Sequence, residues 1–593
     1  MAACRYDVRQ SLGRMKPDGL VAVMMAAWWV LNLLQAAFMG LANDEVYYWY
    51  YAKHLDWGYF DHPPLVAVLI SLSQWAPGPL GIRLCSTLLQ PCYLYLFWRI
   101  IRPADAARRD ALTYVLVCFS QPLLQLYGVM ALPDAPLMMS TVVFLWAYKR
   151  FLKESTVPNA LWLGLAVALL GYSKYHGALV VVLVLLSNPR LFRCRQLYFS
   201  GAVALLLYVP HLWWQYGHDW VSLRYHLVDR NAWEYRIDYT LTYMVVLLLI
   251  FNPLWLWHYV QALRKRGLAP IVPESAFRRS LTVLLVGFVV FFFVATFRGE
   301  VQAQWLLPVT LPLVALLFAG GRNSGYVRTV GLVCVCVFLS VRVLAVANPF
   351  HFKGEIWQQP QVYSTIAGAV GDRPLQFMHG YTDAAKYTYY TGKPAYSAPY
   401  YFTRHSQWQF DTLDHTFAHR ETVVGDYGEI HGQSVPLPDG RTFGYVVVPD
   451  YMPLREVQMS HEGMLDLELP YLQRAGMDTP ADSLAPFTLR LRVVNPYSYD
   501  IVSPPGNPLL LRLFFHVRIN KALSAVGSLP DTLKAGSSGA VDFTLRFGRD
   551  IPDGDHIAGY TFGYGDFPPS DNGAKFRVRV SHEDGKLIIK QIP

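Results

Sequence analysis

The chain has 593 residues, of which 53% are hydrophobic and only 16% charged, with a formal net charge of +9. Its apolar residues gather in blocks long enough to cross a bilayer, which excludes an ordinary soluble protein and marks an integral membrane one. The basic residues cluster between those blocks, where the positive-inside rule wants them, and this distribution argues against nucleic-acid binding.

Arg5, Arg9, Arg14 and Lys16 precede the first apolar run, Gly19 to Leu41, and no small-residue cleavage site follows. The pattern predicts an uncleaved first span with a cytoplasmic N-terminus. The next stretch, NDEVYYWYYAKHLDWGYFDHPPL (43–65), holds Asp44, Glu45, Asp56 and Asp61 among Tyr and Trp residues. Carboxylates avoid hydrocarbon, so this segment is predicted at the outer face, with Tyr47 to Tyr51 as an aromatic belt. Leu65 to Trp75 is too short to span, and a full span is expected from about Leu80 to Ile101.

Arg99, Arg102, Arg108 and Arg109 return the chain to the cytoplasm, and residues 112–130 go out again. LPDAPL then turns it into a span that ends in YKRFLKE, which leaves Asp134 on the outer side. The block from Ala160 to Leu186 is interrupted by GYSKYHG, predicting two short helices with Lys174 and His176 at the join. Further spans are expected at about 197–214, 239–262, 281–297, 303–319 and 328–347, giving about eleven on an apolar-window count.

From about Asn348 the apolar runs shorten and Pro, Gly and Asp rise. The seven cysteines all precede residue 340; none has zinc-ligand spacing with histidines, and none is left for disulfides in the tail. The expected organisation is a mainly α membrane domain at 1–347, an α/β region at 348–484, and a β-sandwich-like region at 485–593 rich in strings such as FTLRLRVV and VDFTLRF.

This topology gathers Asp44, Glu45, Asp61, His62, Asp134, Lys174, His176, Arg224, His226, Arg230, Arg298, Glu300, Gln302 and Gln304 at the outer ends of spans. Singly, Asp44, Asp61 and Asp134 have the position of helix caps, and Lys174 that of a snorkelling lysine. Together, acids and cations on one rim suit a polar reaction at the membrane face. A carboxylate takes a proton from an acceptor hydroxyl, and cations hold a departing phosphate.

The acidic pair Asp44-Glu45 after the first span, the turn Asp61-His62-Pro63-Pro64, LPDA, SKYHG, and a Trp-rich loop with His226 and Arg230 resemble the polytopic glycosyltransferases of the GT-C fold. The likeness covers about residues 19–320 and leans to the branch that contains the lipid A aminoarabinose transferase and the protein O-mannosyltransferases. It implies a polyprenyl-phosphate-linked sugar as donor, a lipid, glycan or protein acceptor, and a bacterial inner membrane with the tail in the periplasm.

The resemblance further implies that Asp44 is the catalytic carboxylate, with Glu45 beside it and Asp134 assisting. Asp61 and His226 resemble a pair that holds a divalent metal, although no cofactor is required. His62 stands where the branch has a lysine near the donor phosphate and Tyr47 where it has an arginine. Lys174 and Arg230 are read as replacing the lost positive charge, and Tyr47, Tyr48, His176, Arg224 and Gln304 as the remaining rim. The expected mechanism is a single displacement with inversion. A sugar flippase or transporter is the alternative, but its charges belong near the bilayer midplane and its halves often repeat.

Overall fold

The structure is a computed structural model that describes residues 15–470 and 486–593, apart from 231–234, 265–266, 323, 379, 401–403, 428–429, 431, 519–520, 531, 548–550, 566, 569 and 571. It forms two compact units, Met1–Trp357 and Gln358–Pro593.

The first unit is helical. By length and composition, five helices among the described residues can cross a membrane: Pro17–Phe38, Arg195–Gly217, Ser275–Ala295, Ala303–Gly321 and Gly325–Ala347. A sixth is reached if Ile237–Phe251 and Pro253–Arg264, bent by 60°, count as one span. The bend falls at Asn252, whose φ of 52° leaves the helical region just before a proline that has no amide to donate.

These five to six are fewer than the expected eleven: residues 112–130 divide between Arg108–Phe119 and Pro122–Tyr127, and the two short helices expected in 160–186 are present as Val157–Ser173 and His176–Leu186. Leu80–Ile101 is long enough to span but carries Arg83, Gln90 and Arg99, and the first two are buried inside the bundle.

Polar side chains inside the helices are paired with one another, as a low-dielectric interior demands. Asn32 donates to Gln90 at 2.8 Å. Arg342, on Gly325–Ala347, donates to Gln125 Oε1 at 3.0 Å, Asn32 Oδ1 at 2.9 Å and Gln35 Oε1 at 2.8 Å. Residues 348–357, grouped with the tail by composition, belong to this first unit: Trp357 donates to Ala345 O at 3.0 Å and Glu355 accepts from Asn43 N at 3.2 Å.

The second unit opens with a five-stranded sheet in the order Ala395–Ser397, Leu375–Phe377, Arg420–Asp426, Thr442–Tyr451, Gln433–Pro436. Its first three strands are parallel and the rest antiparallel, and the helix Tyr381–Thr391 crosses between the two short parallel strands.

The expected β-sandwich is instead one antiparallel sheet of nine strands. Its two edge strands, Gln458–Ser460 and Asp466–Pro470, lie at opposite ends of the strand order yet only a few residues apart in sequence. That connection reaches no more than about 20 Å, so the sheet curls into a half-barrel. Both edge strands precede residue 485, where composition placed a boundary.

Candidate active site

The aromatic stretch folds as the helix Asn43–Lys53, with Asp44 and Glu45 in its first turn and Lys53 in its last, each matched to the helix dipole. The adjacent carboxylates have different surroundings. Glu45 is fully buried and accepts from Arg83 Nε at 2.7 Å, Arg83 Nη2 at 2.5 Å, Ala42 N at 2.9 Å and Ala131 N at 2.9 Å. Arg83 also donates to Met39 O at 2.7 Å and Gly40 O at 2.8 Å. This knot ties the end of the first helix, the aromatic helix and the chain before Asp134, and every Glu45 lone pair is committed. Asp44 is only half-buried and lies within electrostatic reach of the Tyr127 hydroxyl.

Tyr47, Tyr48, Tyr50 and Tyr51 are buried, which replaces the expected interfacial belt with an internal aromatic stack. Tyr51 lies parallel to Tyr59 at 4.1 Å and against Tyr47 at 4.7 Å. Placing them outside followed from their polar rings and from the neighbouring carboxylates. The burial comes from the chain folding back through residues 54–64.

That returning loop is held by donors on alternate carbonyls. His211 Nδ1 reaches Trp57 O at 2.7 Å, Ser222 Oγ reaches Tyr59 O at 2.8 Å, and His226 Nε2 reaches Asp61 O at 2.8 Å. Trp214 donates to Asp56 at 2.8 Å, and its ring lies where any Cβ on Gly58 would stand, at 2.4 Å. The Asp61 carboxylate accepts from Tyr51 at 2.6 Å.

Asp61 and His226 therefore meet through a main-chain carbonyl, and the nitrogen of His226 that faces Asp61 is a donor. Burial pushes the His226 imidazole down to about 4, so it is neutral at neutral pH. No group of three or more His, Cys, Asp or Glu among the described residues is placed to hold a metal ion. As they stand, the two residues help to hold the returning loop.

The interruption at GYSKYHG positions the cations. Val157–Ser173 ends with Lys174 in extended conformation, and the chain re-enters a helix at His176. Lys174 is buried and donates to both carboxylate oxygens of Asp134, at 2.8 and 2.7 Å. Asp134 is thus committed to orienting Lys174. His62, Lys174, His226 and Arg230 all lie within electrostatic reach of His176, so the basic residues converge.

Trp305 is their shared platform, with the Arg230 guanidinium 4.3 Å from its ring centre and the His176 ring at 5.4 Å. His62 packs edge-on to Tyr48 at 5.4 Å. Arg224 does not join them: it is exposed and pairs with Asp229 at 3.6 Å.

Tyr127 joins the acidic and cationic halves. Its hydroxyl donates to Gln304 at 3.1 Å and lies within electrostatic reach of Asp134, Asp44 and Glu355. It also lines a cleft with Asp134, Ser86 and Gln90. Tyr127, Glu355 and Trp305 were not singled out in the sequence. Tyr127 sits in an apolar window and Glu355 beyond the last span, so nothing local marks them. Trp305 stands beside Gln304 in RGEVQAQW, where an aromatic residue among polar ones at a span end was a usable signal.

The Lys174–Asp134 pair allows a test of structural against functional weight. Lys174→Met is expected to destabilise the fold by about 3–5 kcal/mol, because it strands a buried carboxylate. Adding Asp134→Asn should recover much of that loss in thermal denaturation. If the double variant is no more stable than the single one, the ion pair is not the stabilising element.

Residues 61–214 match the family described as Dolichyl-phosphate-mannose-protein mannosyltransferase. The chain is 27% identical over 228 residues to the lipid A galacturonosyltransferase RgtD of Rhizobium johnstonii, a match covering 37% of this chain and 47% of that protein. The match thus spans about half the length of that relative. The fold is similar to ArnT from Cupriavidus metallidurans in the apo state, with a TM-score of 0.55 at 12% identity over 72% of this chain and 98% of that one. It is also similar to the same protein bound to undecaprenyl phosphate, with a TM-score of 0.51 at 13% identity over 71% and 97%. The resemblance to the GT-C glycosyltransferases carried by the motifs is borne out, and the helical membrane unit followed by a β-rich region is an ArnT-like fold.

Proposed function

We propose that this chain is a membrane glycosyltransferase that moves a sugar from a polyprenyl-phosphate-linked donor to a lipid, glycan or protein acceptor, with inversion at the anomeric carbon. The observation that carries the reading is the convergence, through Tyr127 and Asp134, of a half-buried carboxylate with a cluster of basic residues that contains the buried Lys174 and the half-buried Arg230. The family match, the galacturonosyltransferase relative and the undecaprenyl phosphate bound by a protein of similar fold support it. That relative makes lipid A the acceptor to test first.

Asp44 is the general base in this mechanism. It takes the proton of the acceptor hydroxyl as that oxygen bonds to the anomeric carbon, and the bond from that carbon to the phosphate oxygen breaks. The leaving polyprenyl phosphate gains a charge, and Lys174 and Arg230 supply the positive field that stabilises it, with His62 at the edge of the cluster. Asp134 positions Lys174, while Glu45 holds the helix that presents Asp44. Tyr47 and Tyr48 form the wall behind it, and Gln304 orients Tyr127.

The test is transfer of radiolabelled sugar from polyprenyl phosphate by the purified protein, with release of the lipid phosphate measured alongside. Absence of both products across donor sugars and across lipid, glycan and protein acceptors sinks the reading. Arg230→Ala is expected to raise the donor concentration needed for half-maximal rate by at least about tenfold, the loss typical of a charged contact. An unchanged donor dependence removes Arg230 from phosphate binding.

The membrane placement that goes with this function is a bacterial inner membrane, a cytoplasmic N-terminus and a periplasmic unit from Gln358 onward. A periplasm-dependent reporter fused after Pro593 should be active. Activity only of a cytoplasm-dependent reporter there would reverse the rim and with it the catalytic assignment.

A further inference from the structure

His176 opens the helix His176–Leu186 and is half-buried, its ring 5.3 Å from that of Phe292 and 5.4 Å from that of Trp305. Its Nδ1 is buried and has no hydrogen-bond partner among the described residues, which leaves Nε2 as the accessible ring nitrogen. Its neighbour His226, by contrast, is tied to Asp61 O at 2.8 Å.

The titratable groups within reach of His176 are Lys174 from the break before its own helix, His226 and Arg230 from the segment after Val221–Arg224, and His62 from the returning loop. Ser275–Ala295 and Ala303–Val309 contribute the uncharged rings of Phe292 and Trp305. Burial first, and then the surrounding positive charges, oppose a proton on the His176 ring, so it is neutral in the free protein.

The reaction changes the charge that this cluster faces. A polyprenyl phosphodiester carries one negative charge, whereas the phosphate monoester that leaves ionises a second time at about pH 6 and carries close to two at neutral pH. The charge of Lys174 is already matched by Asp134. A group that gains a proton only as the second negative charge appears stabilises the leaving group without holding the donor equally tightly. His176 has that property, because a dianion entering the cluster raises the proton affinity of a neutral ring whose Nε2 is accessible.

We propose that His176 takes up one proton at Nε2 when polyprenyl phosphate occupies the site, and donates it in a hydrogen bond to a phosphate oxygen. The proton comes from solvent, since the acceptor's own proton goes to Asp44, and the only bond made is N–H. The inference rests on the proposed transferase function and assigns His176 a contact with the leaving phosphate.

The experiment measures binding of undecaprenyl phosphate and of its methyl ester, a phosphodiester of fixed charge, to the full chain in detergent between about pH 7 and about pH 8.5. In wild type the Kd of undecaprenyl phosphate should rise about tenfold per pH unit, the slope of one proton taken up, while that of the ester stays level. His176→Gln should flatten the first curve and weaken undecaprenyl phosphate at about pH 7 by at least about tenfold, with the ester changed by less than about threefold. His176→Phe, which keeps a ring against Trp305 and Phe292, should flatten it as well.

A level wild-type curve for undecaprenyl phosphate, or equal slopes for the two lipids, overturns the proposal. So does a slope that persists in either folded variant, because the proton then sits on the phosphate or on another residue. Failure of wild type to bind either lipid sinks the transferase reading, and the proposal with it.

Discussion

Asp44→Asn is expected to lower sugar transfer by about a hundred- to ten-thousand-fold while leaving the protein folded and most donor binding intact. Asp44 lies in the first turn of Asn43–Lys53, half-exposed, on the side that faces Tyr127. An asparagine there keeps the shape and the ability to accept a hydrogen bond near a helix start, but it cannot take a proton at neutral pH. A role confined to the helix start would make the exchange nearly neutral, since Asn and Asp serve that position alike. The measurement is the transfer rate of purified wild type and variant at saturating donor, with thermal denaturation as the control. Rates within a factor of about three would remove Asp44 from the chemistry, because no general-base loss is that small.

The neighbouring residue should behave in the opposite way. Glu45→Ala is expected to cost about 3–5 kcal/mol of stability, because it leaves the Arg83 guanidinium buried without its carboxylate. Ala42 N and Ala131 N would lose their acceptor at the same time. The expected readout is a strongly reduced yield of folded protein and early unfolding on heating, with transfer lost in proportion to the folded fraction. A double replacement, Glu45→Met with Arg83→Met, should recover part of the stability, since two apolar side chains strand no charge. If Glu45→Ala folds normally but has no activity, the buried knot is not its role and Glu45 returns to the catalytic candidates. The two adjacent substitutions thus separate chemistry from architecture at positions one residue apart.

Much of the site's membership was legible in the sequence. The break at GYSKYHG and the helix start at LPDAPL are local features, written in short-range propensity, and the structure has both where the sequence put them, although Asp134 is the first helical residue and its carboxylate serves Lys174 rather than capping the helix. The assignment of roles was less legible. Glu45 and Asp134 looked like catalytic acids beside Asp44, but each is bound to a buried cation. Arg224 looked like a rim cation, yet it faces outward from a short turn and pairs with Asp229. Tyr47 to Tyr51 have the composition of an interfacial belt, and only the loop folding over them makes them interior.

By itself the sequence determined that the chain is a membrane protein with a β-rich tail, where its main apolar spans lie, and which polar segments punctuate them. Those properties follow from hydropathy and turn chemistry over windows of a few to some twenty residues. The tertiary structure alone decided which carboxylates are bound to buried cations. Glu45 is taken by Arg83 and Ala131, 38 and 86 residues away, and Asp134 by Lys174, 40 residues away. It also decided that the tail's strands form one curled sheet, since strand partners are set by long-range registers. The physical reason is that burial and pairing fix what a charged group can do, and both depend on neighbours that only the folded chain supplies.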